Sequence, residues 1–189
     1  MRYVHLLFVG FAFGFLFMPA PAQADSRMDN TYLSVAAIAS SDFEFAGDIN
    51  REQEEGSGYM LGVGYRQSKQ LSYELAYTQA NDYANDQGSY SKVYHWEAVA
   101  LLHPAGAHAV SPYLRAGAYH ARSLSNLFIN GVSTVSGTRD KTEALIGAGV
   151  DYRLAPGRLV RLDFTRGGLK AEDRLDRLSL GLVMYFGGE

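Results

Sequence analysis

Between Thr31 and Phe186, apolar residues recur at every second position in short runs separated by polar or turn-forming stretches. The pattern is cleanest from Tyr59 to Thr78. Tyr59, Leu61, Val63 and Tyr65 share one face, opposite Met60, Gly62, Gly64 and Arg66. After Ser68-Lys69-Gln70, Leu71, Tyr73, Leu75 and Tyr77 share a face opposite Ser72, Glu74, Ala76 and Thr78. Period two is the signature of a strand, and two such runs around a short polar turn predict a hairpin.

Six further segments follow the same rule. Thr31 to Ser40 sets Leu33, Val35 and Ala37 against Ser34 and Ala36, and Tyr94 to Leu102 sets Trp96, Ala98 and Ala100 against His95, Glu97 and Val99. Pro112 to His120 opposes Leu114, Ala116 and Ala118 to Tyr113, Arg115, Gly117 and Tyr119. Glu143 to Arg153 opposes Ile146, Ala148, Val150 and Tyr152 to Glu143, Gly147, Gly149, Asp151 and Arg153. Arg158 to Thr165 opposes Val160, Leu162 and Phe164 to Arg161, Asp163 and Thr165. Leu175 to Phe186 opposes Leu178, Leu180, Leu182, Met184 and Phe186 to Arg177, Ser179, Gly181, Val183 and Tyr185. Short turns at Ser68–Gln70, Pro104–His108 and Ala155–Gly157 alternate with long polar connections at Asp42–Ser57, Asn81–Ser91, Arg122–Asp140 and Gly167–Asp173. Even strand number with short turns at one rim and long loops at the other predicts an all-β fold, an eight-stranded antiparallel up-and-down transmembrane β-barrel of the bacterial outer membrane.

Two observations turn the apolar face toward lipid. The opposite face mixes long charged side chains with Gly and Ala, as a narrow lumen requires. Aromatic residues stand near the ends of the apolar faces: Tyr59, Tyr65, Tyr73, Tyr77, Tyr94, Tyr152, Phe164 and Phe186. Membrane proteins place their interfacial girdles there. The lumen is then expected to carry a balanced network of Arg66, Arg115, Arg153, Arg161 and Arg177 with Glu74, Glu97, Glu143, Asp151 and Asp163, since buried charges persist only when paired. Such a lumen is filled by side chains, not open like a wide porin.

The N-terminus changes the domain assignment. Arg2, the apolar run from Leu6 to Met18 and Ala22-Gln23-Ala24 have the layout of a signal peptide. Residues 1–24 are therefore expected to be removed, with residues 25–189 forming one barrel domain. The chain has 17 basic and 20 acidic residues and no cysteine. A mildly acidic chain is not expected to bind nucleic acid, and without cysteine there is neither a disulfide framework nor a thiol nucleophile.

Other candidate chemistry is sparse. His120, with Ser123 and Ser125 just beyond it, falls near the outer rim where a lipid-modifying hydrolase would keep a catalytic pair, though a plain rim position is the better reading, since catalysis requires a geometry that spacing does not show. His95 and Glu97 read as members of the charge network, and His103 and His108 as incidental to a turn. No spacing suggests zinc, and no cofactor or catalytic residue is expected. Asp42, Glu44, Asp48, Glu52, Glu54 and Glu55 give the first loop a solvated acidic character without a calcium-loop spacing. The third connection differs, because Leu124, Leu127, Phe128, Ile129, Val132 and Val135 alternate with small polar residues. These could extend the hairpin as strand above the membrane and offer an edge or surface to a ligand, with Leu127, Phe128, Ile129 and Val132 as its centre. The blander reading, that they pack on the other loops, carries more weight, because an apolar patch marks an interaction site only when contiguous.

The chain resembles the small outer-membrane β-barrel proteins typified by the OmpA membrane domain. The carriers are Gly58-Tyr59-Met60-Leu61-Gly62-Val63-Gly64-Tyr65, Ser111 to Tyr119, Gly147 to Tyr152, and Ser179 to Phe186. The resemblance implies that Ser179, Gly181 and Phe186 form the assembly signal read by the barrel insertase, although Met184 replaces an aromatic and Gly187-Gly188-Glu189 follow. It does not imply the wall-binding domain of full-length OmpA. The expected function is non-enzymatic: a monomer contributing to envelope integrity or surface interaction through long extracellular loops. The expected partners are outer-membrane lipid, lipopolysaccharide, the barrel assembly machinery and a surface ligand. The alternatives are a lipid-modifying hydrolase or acyltransferase, a narrow channel, and a soluble lipocalin-like barrel with the faces reversed.

Overall fold

The computed structural model describes residues 30–44, 56–83, 90–104, 109–129, 132–168 and 174–186. Eight strands run in chain order: β1 (Thr31–Glu44), β2 (Gly56–Arg66), β3 (Leu71–Tyr83), β4 (Tyr90–Leu102), β5 (Val110–Ile129), β6 (Val132–Ala155), β7 (Arg158–Gly167) and β8 (Arg174–Phe186). Each pairs antiparallel with its sequence neighbours, and β8 returns to pair with β1 from Thr31↔Phe186 to Glu44↔Arg174, closing the barrel. The signal-peptide segment and Asp48, Glu52, Glu54, Glu55 and His108 lie outside the described residues.

The alternation decides which way each strand faces. Leu61, Val63, Leu75, Leu114, Ile146, Leu162, Phe164 and Leu180 are all exposed on the outer wall, each at 45% or more. Tyr32, Ser34, Glu74, Glu97, Arg115, Asp163 and Arg177 are buried inside it. This inversion of a soluble core suits a wall immersed in hydrocarbon, where closure leaves every ladder group paired. Aromatic side chains bracket the apolar wall: Tyr65, Tyr73 and Tyr152 toward the short turns, and the tilted Tyr77–Trp96 pair, 5.1 Å between centroids, toward the long connections.

The short turns hold their places by local bonds. Gln67 N–H donates to the Leu71 carbonyl at 2.9 Å, and the Ser68 hydroxyl accepts from the Leu71 amide at 3.1 Å. Between β6 and β7, Ala155 opposes Arg158 across Pro156-Gly157, and Gly157 takes a φ of 68° that a side chain would resist.

At the long-connection rim the strands run beyond the segments that periodicity predicts, and in the third connection they do so as the hairpin extension that its apolar residues suggest. β5 and β6 run 20 and 24 residues, and every described residue of the Arg122–Asp140 stretch is strand. β1, β3 and β4 likewise continue to Glu44, Tyr83 and back to Tyr90. The reason is physical. Above the membrane a strand needs only a backbone partner, so its side chains need not alternate between lipid and lumen, and periodicity fades while pairing continues.

Inner-face glycines sit opposite bulky lumen residues. A Cβ on Gly64 would run into the ring of Tyr32, its partner on β1. Gly64→Val is expected to lower stability by roughly 1–3 kcal/mol through overpacking. Urea titration of the lipid-inserted protein, followed by loss of its heat-dependent gel shift, measures it; an unchanged midpoint would mean that Tyr32 can vacate the lumen freely.

Candidate functional site

Seven of the ten charged residues expected inside the barrel come together in its centre. Inner-face positions on β4, β5, β7 and β8 bring Glu97, Arg115, Asp163 and Arg177 to one level. Arg115 donates through Nη2 to Glu97 Oε1 at 2.5 Å and through Nη1 to Asp163 Oδ1 at 2.8 Å. Arg177 donates through Nη1 to Glu97 Oε2 at 3.0 Å and through Nη2 to Oε1 at 3.1 Å. Its Nη2 also stands 3.8 Å from Asp163 Oδ1. Glu97 is thus held by two guanidinium groups, with all the side chains involved fully buried.

A second cluster lies nearer the short-turn rim. Arg161 grips Asp151 through Nε at 2.8 Å and Nη2 at 3.0 Å, and reaches across the lumen to Glu74 Oε2 at 2.8 Å. The Arg161 guanidinium also lies 4.9 Å from the Tyr113 ring centroid and 5.8 Å from that of Tyr32. Tyr113 joins the two clusters, because its hydroxyl donates to Asp163 Oδ2 at 2.6 Å. Such paired, hydrogen-bonded charges are the only kind a low-dielectric lumen tolerates.

The other three predicted members lie elsewhere. Glu143 pairs with Lys141 at 2.6 Å toward the long-connection rim. Arg66 stacks over Tyr185, 5.4 Å from the ring centroid. Arg153 is half-buried near the short-turn rim, and its backbone N–H donates to the Ala109 carbonyl at 2.8 Å.

Polar residues outside that list complete the site. Thr165 Oγ1 donates to Asp163 Oδ1 at 2.6 Å, and Arg177 donates to Thr78 at 3.2 Å and to Thr165 at 3.3 Å. His95 Nε2 lies 3.0 Å from Arg177 Nη1 and 3.5 Å from Glu97. A guanidinium only donates, so Nε2 accepts and the ring proton belongs on Nδ1. The strand alternation was sufficient to find Tyr113 and Thr165, since each lies two residues from a network charge on the same face.

Apolar residues lie on the long-connection side of these ions. Tyr119 and Ala121 follow Arg115 along the inner face of β5, Val93 precedes His95 and Glu97 on β4, and Leu175 precedes Arg177 on β8. With Leu145 of β6 they belong to one contiguous buried cluster. Apolar side chains therefore pack against the central ions on the long-connection side, while Val99, Leu101 and Tyr113 of the same cluster lie on the short-turn side.

The outer wall does not bring His120 and Ser123 together. His120 faces outward, and its Nδ1 lies 2.8 Å from Thr142 Oγ1, while Ser123 is buried on the opposite face of the same strand. Three residues along a strand always invert the face, so His120 and Ser123 cannot act together. The Ser125 side chain is outside the described residues. His103 is buried with its ring centroid 5.4 Å from that of Tyr113, and its backbone N–H donates to the Gln70 carbonyl at 2.7 Å. Among the described residues no cluster of His, Cys, Asp and Glu could hold a metal ion.

The proposed interaction residues Leu127, Phe128, Ile129 and Val132 are at the tip of the β5–β6 hairpin, where Leu127 pairs with Thr134, Phe128 with Ser133 and Ile129 with Val132. Only their backbones are described. Of the three residues expected to form an assembly signal, Ser179 is buried opposite Ile38 and Asp163, Gly181 opposes Ala36 and Arg161, and Phe186 opposes Thr31 at the short-turn rim.

A closed eight-stranded barrel with an outward apolar belt and a paired ionic lumen defines a small integral outer-membrane protein. The chain belongs to the outer membrane protein beta-barrel domain family, which matches residues 10–186, and its location is the bacterial outer membrane. It is similar to Neisserial surface protein A, with 20% identity and a TM-score of 0.66, over 82% of this chain and 97% of that one. It is also similar to Ail, the attachment invasion locus protein of Yersinia pestis, with 18% identity, a TM-score of 0.60 and coverage of 84% and 100%. The N-terminal barrel domain of Pseudomonas aeruginosa OprF matches with 18% identity, a TM-score of 0.51 and coverage of 82% and 98%. No curated relative matches the chain at the sequence level.

Replacing Glu97 with Leu strands two buried guanidinium groups, with Asp163 the one carboxylate left among them. The expected loss is about 3–5 kcal/mol, the scale for breaking one partner out of a buried ion pair. Denaturant unfolding in lipid vesicles measures it. A loss of under about 1 kcal/mol, the scale of an exposed pair, would show that the network is water-exposed.

Proposed function

We propose that the protein is a non-enzymatic surface barrel whose β5–β6 hairpin, standing above the outer leaflet, is its interaction element. The observation that carries this reading is the disparity in strand length: β5 and β6 run 20 and 24 residues, against 10 to 14 for the other six. A strand of about ten residues suffices to span the membrane. The 13 residues of β6 before Leu145 add about 40 Å of strand at ~3.3 Å per residue. Selection for closure alone would not retain such an extension.

The lumen argues against a conducting role. Its ions are paired and buried, and the apolar layer around Leu145 and Leu175 stands between them and the outside. The separation of His120 from Ser123 argues against a hydrolase. Lipopolysaccharide is the natural neighbour of the exposed Arg122–Asp140 and Arg166–Asp176 pairs on the outer wall. Insertion would use the barrel assembly machinery through Ser179, Gly181 and Phe186. Among similar proteins, Ail has been crystallised with the heparin analogue sucrose octasulfate, which makes a surface ligand for the present chain a reasonable search.

Three measurements check this reading. Planar-bilayer recording is expected to show no discrete conductance steps; regular steps would make it a channel. Expressing His120→Ala is expected to leave the lipid A profile identical to wild type by mass spectrometry, and a changed profile would reinstate the enzyme. Shortening the hairpin by removing residues 126–137 is expected to keep the heat-dependent gel shift while abolishing adhesion of expressing cells to extracellular matrix proteins. Undiminished adhesion would discard the hairpin as the contact.

A further inference from the structure

The lipid-facing wall is not uniformly bulky. A groove of about 650 Å³ crosses it from Thr31 and Tyr65, at the short-turn ends of β1 and β2, to Ala116, the seventh residue of β5. Along it Tyr73 pairs with Ala100, Leu75 with Ala98, and Ala100 with Ala116. The alanines rise one carbon above the sheet. Val63, Tyr73 and Leu75 stand out beside them, each about half exposed.

The depth of the groove matches one leaflet. Val110 opens β5 at the short-turn rim and Ala116 lies six residues on, ~20 Å along the strand at ~3.3 Å per residue. At a strand tilt of about 45° this is ~14 Å across the membrane, about half of a ~30 Å hydrocarbon core. The short turns of such barrels face the periplasm, so the groove lies in the inner leaflet, which is built of phospholipid. Hydrocarbon already surrounds the wall, so seating a chain there gains no hydrophobic free energy; it gains close packing contacts along the groove.

The rim where the groove opens is cationic. The described residues of the short turns and the strand ends beside them carry Arg66, Lys69, Arg153 and Arg158 and no carboxylate. The first carboxylates met are Glu74 and Asp151, both in the lumen and both held by Arg161. Arg66 turns inward, over the Tyr185 ring. Lys69 is the cation best placed for the groove. It is exposed and lies four positions from Tyr65 and four from Tyr73, at the tip of the hairpin that those paired tyrosines share. The Ser68 hydroxyl fixes this tip by accepting the Gln70 amide at 3.2 Å and the Leu71 amide at 3.1 Å. A lysine stem can lie along apolar surface while its ammonium stays at the interface, and a cation there attracts an anionic lipid head.

We infer that Lys69 and the groove from Tyr65 to Ala116 form a binding site for one anionic phospholipid of the inner leaflet. An acyl chain lies against Ala98, Ala100 and Ala116, and the phosphate meets the Lys69 ammonium. The site is at the opposite end of the barrel from the tip of the β5–β6 hairpin and does not depend on what the hairpin binds.

The test places the full chain in nanodiscs of equal phosphatidylglycerol and phosphatidylethanolamine, and native mass spectrometry counts the lipids that leave the bilayer with it. One phosphatidylglycerol is expected to be retained in preference to phosphatidylethanolamine. Lys69→Gln should cut that preference about fivefold, the scale of one cation at a lipid surface, while a lipid stays bound. Ala98→Leu and Ala100→Leu, which fill the groove with a side chain used elsewhere on the wall, should lose the retained lipid whatever its head. Ala37→Leu, on the outer wall outside the groove, should keep it. A heat-dependent gel shift identical to wild type shows that each variant has closed its barrel. Equal retention of the two lipids by the wild type, an undiminished preference in Lys69→Gln, or lipid still held by both leucine variants would each overturn the site. So would an equal loss of preference in Arg158→Gln, because the rim would then attract anions by its overall charge. Dimers that leave the bilayer without lipid would give the groove to a second copy of the chain instead.

Discussion

Hydrocarbon offers no hydrogen bonds to a peptide group. That constraint underlies this molecule. Every amide in the apolar belt must find a partner within the chain, and a sheet achieves this only by closing. Closure then fixes the rest: an even circuit of strands, an outer wall of Leu, Val, Ile and aromatics, and an inner wall with too little volume for anything but carefully matched side chains. The β1–β8 ladder from Thr31 to Glu44 completes the circuit and joins the two ends of the described chain.

Inside, charge and volume must be satisfied together. Arg115, Arg161 and Arg177 are among the longest side chains available, yet each is buried. They fit because glycines face them: a Cβ on Gly147 would come within 2.8 Å of Arg115 Cγ. They are tolerated because Glu97, Asp163, Asp151 and Glu74 meet them. Removing one partner is expected to cost more than the pair itself contributes, since the survivor keeps its desolvation penalty. The network gives the lumen one specific arrangement of paired charges, packed against the apolar side chains of a single buried cluster.

The sequence made the barrel legible because lipid and lumen impose opposite demands on alternate residues. Strand number, the facing of Leu61 or Glu97, and the short turns follow from that period alone. It also located the network charges, but not their pairing: Arg66, Arg153 and Glu143 share the inner face, and depth along the strand, which no periodicity encodes, separates them from the rest. Above the membrane the signal fails for a different reason. Residues of β6 from Val132 to Asp140 have no lipid to face, so they carry strand structure without strand alternation. The apolar residues from Leu124 to Val135 hint at the extension, and so does the Asn130-Gly131 pair between Ile129 and Val132, a dipeptide favoured between antiparallel strands. His120 and Ser123 illustrate the converse: proximity along the chain suggested chemistry that strand parity forbids.

The glycine seats bear on how the barrel finds its register. Seven of the eight seams join strands consecutive in sequence, where the connecting segment limits how far they can slide. The seam between β1 and β8 has no such tether, because its strands come from opposite ends of the chain. A slip there of one residue would turn the buried Arg177 and Ser179 toward lipid. A slip of two would move Gly181 away from Ala36, where even one added carbon lacks room. Shape thus does at this seam what loop length does at the others. The final step of closure admits a single alignment, and the smallest residue on the last strand marks it.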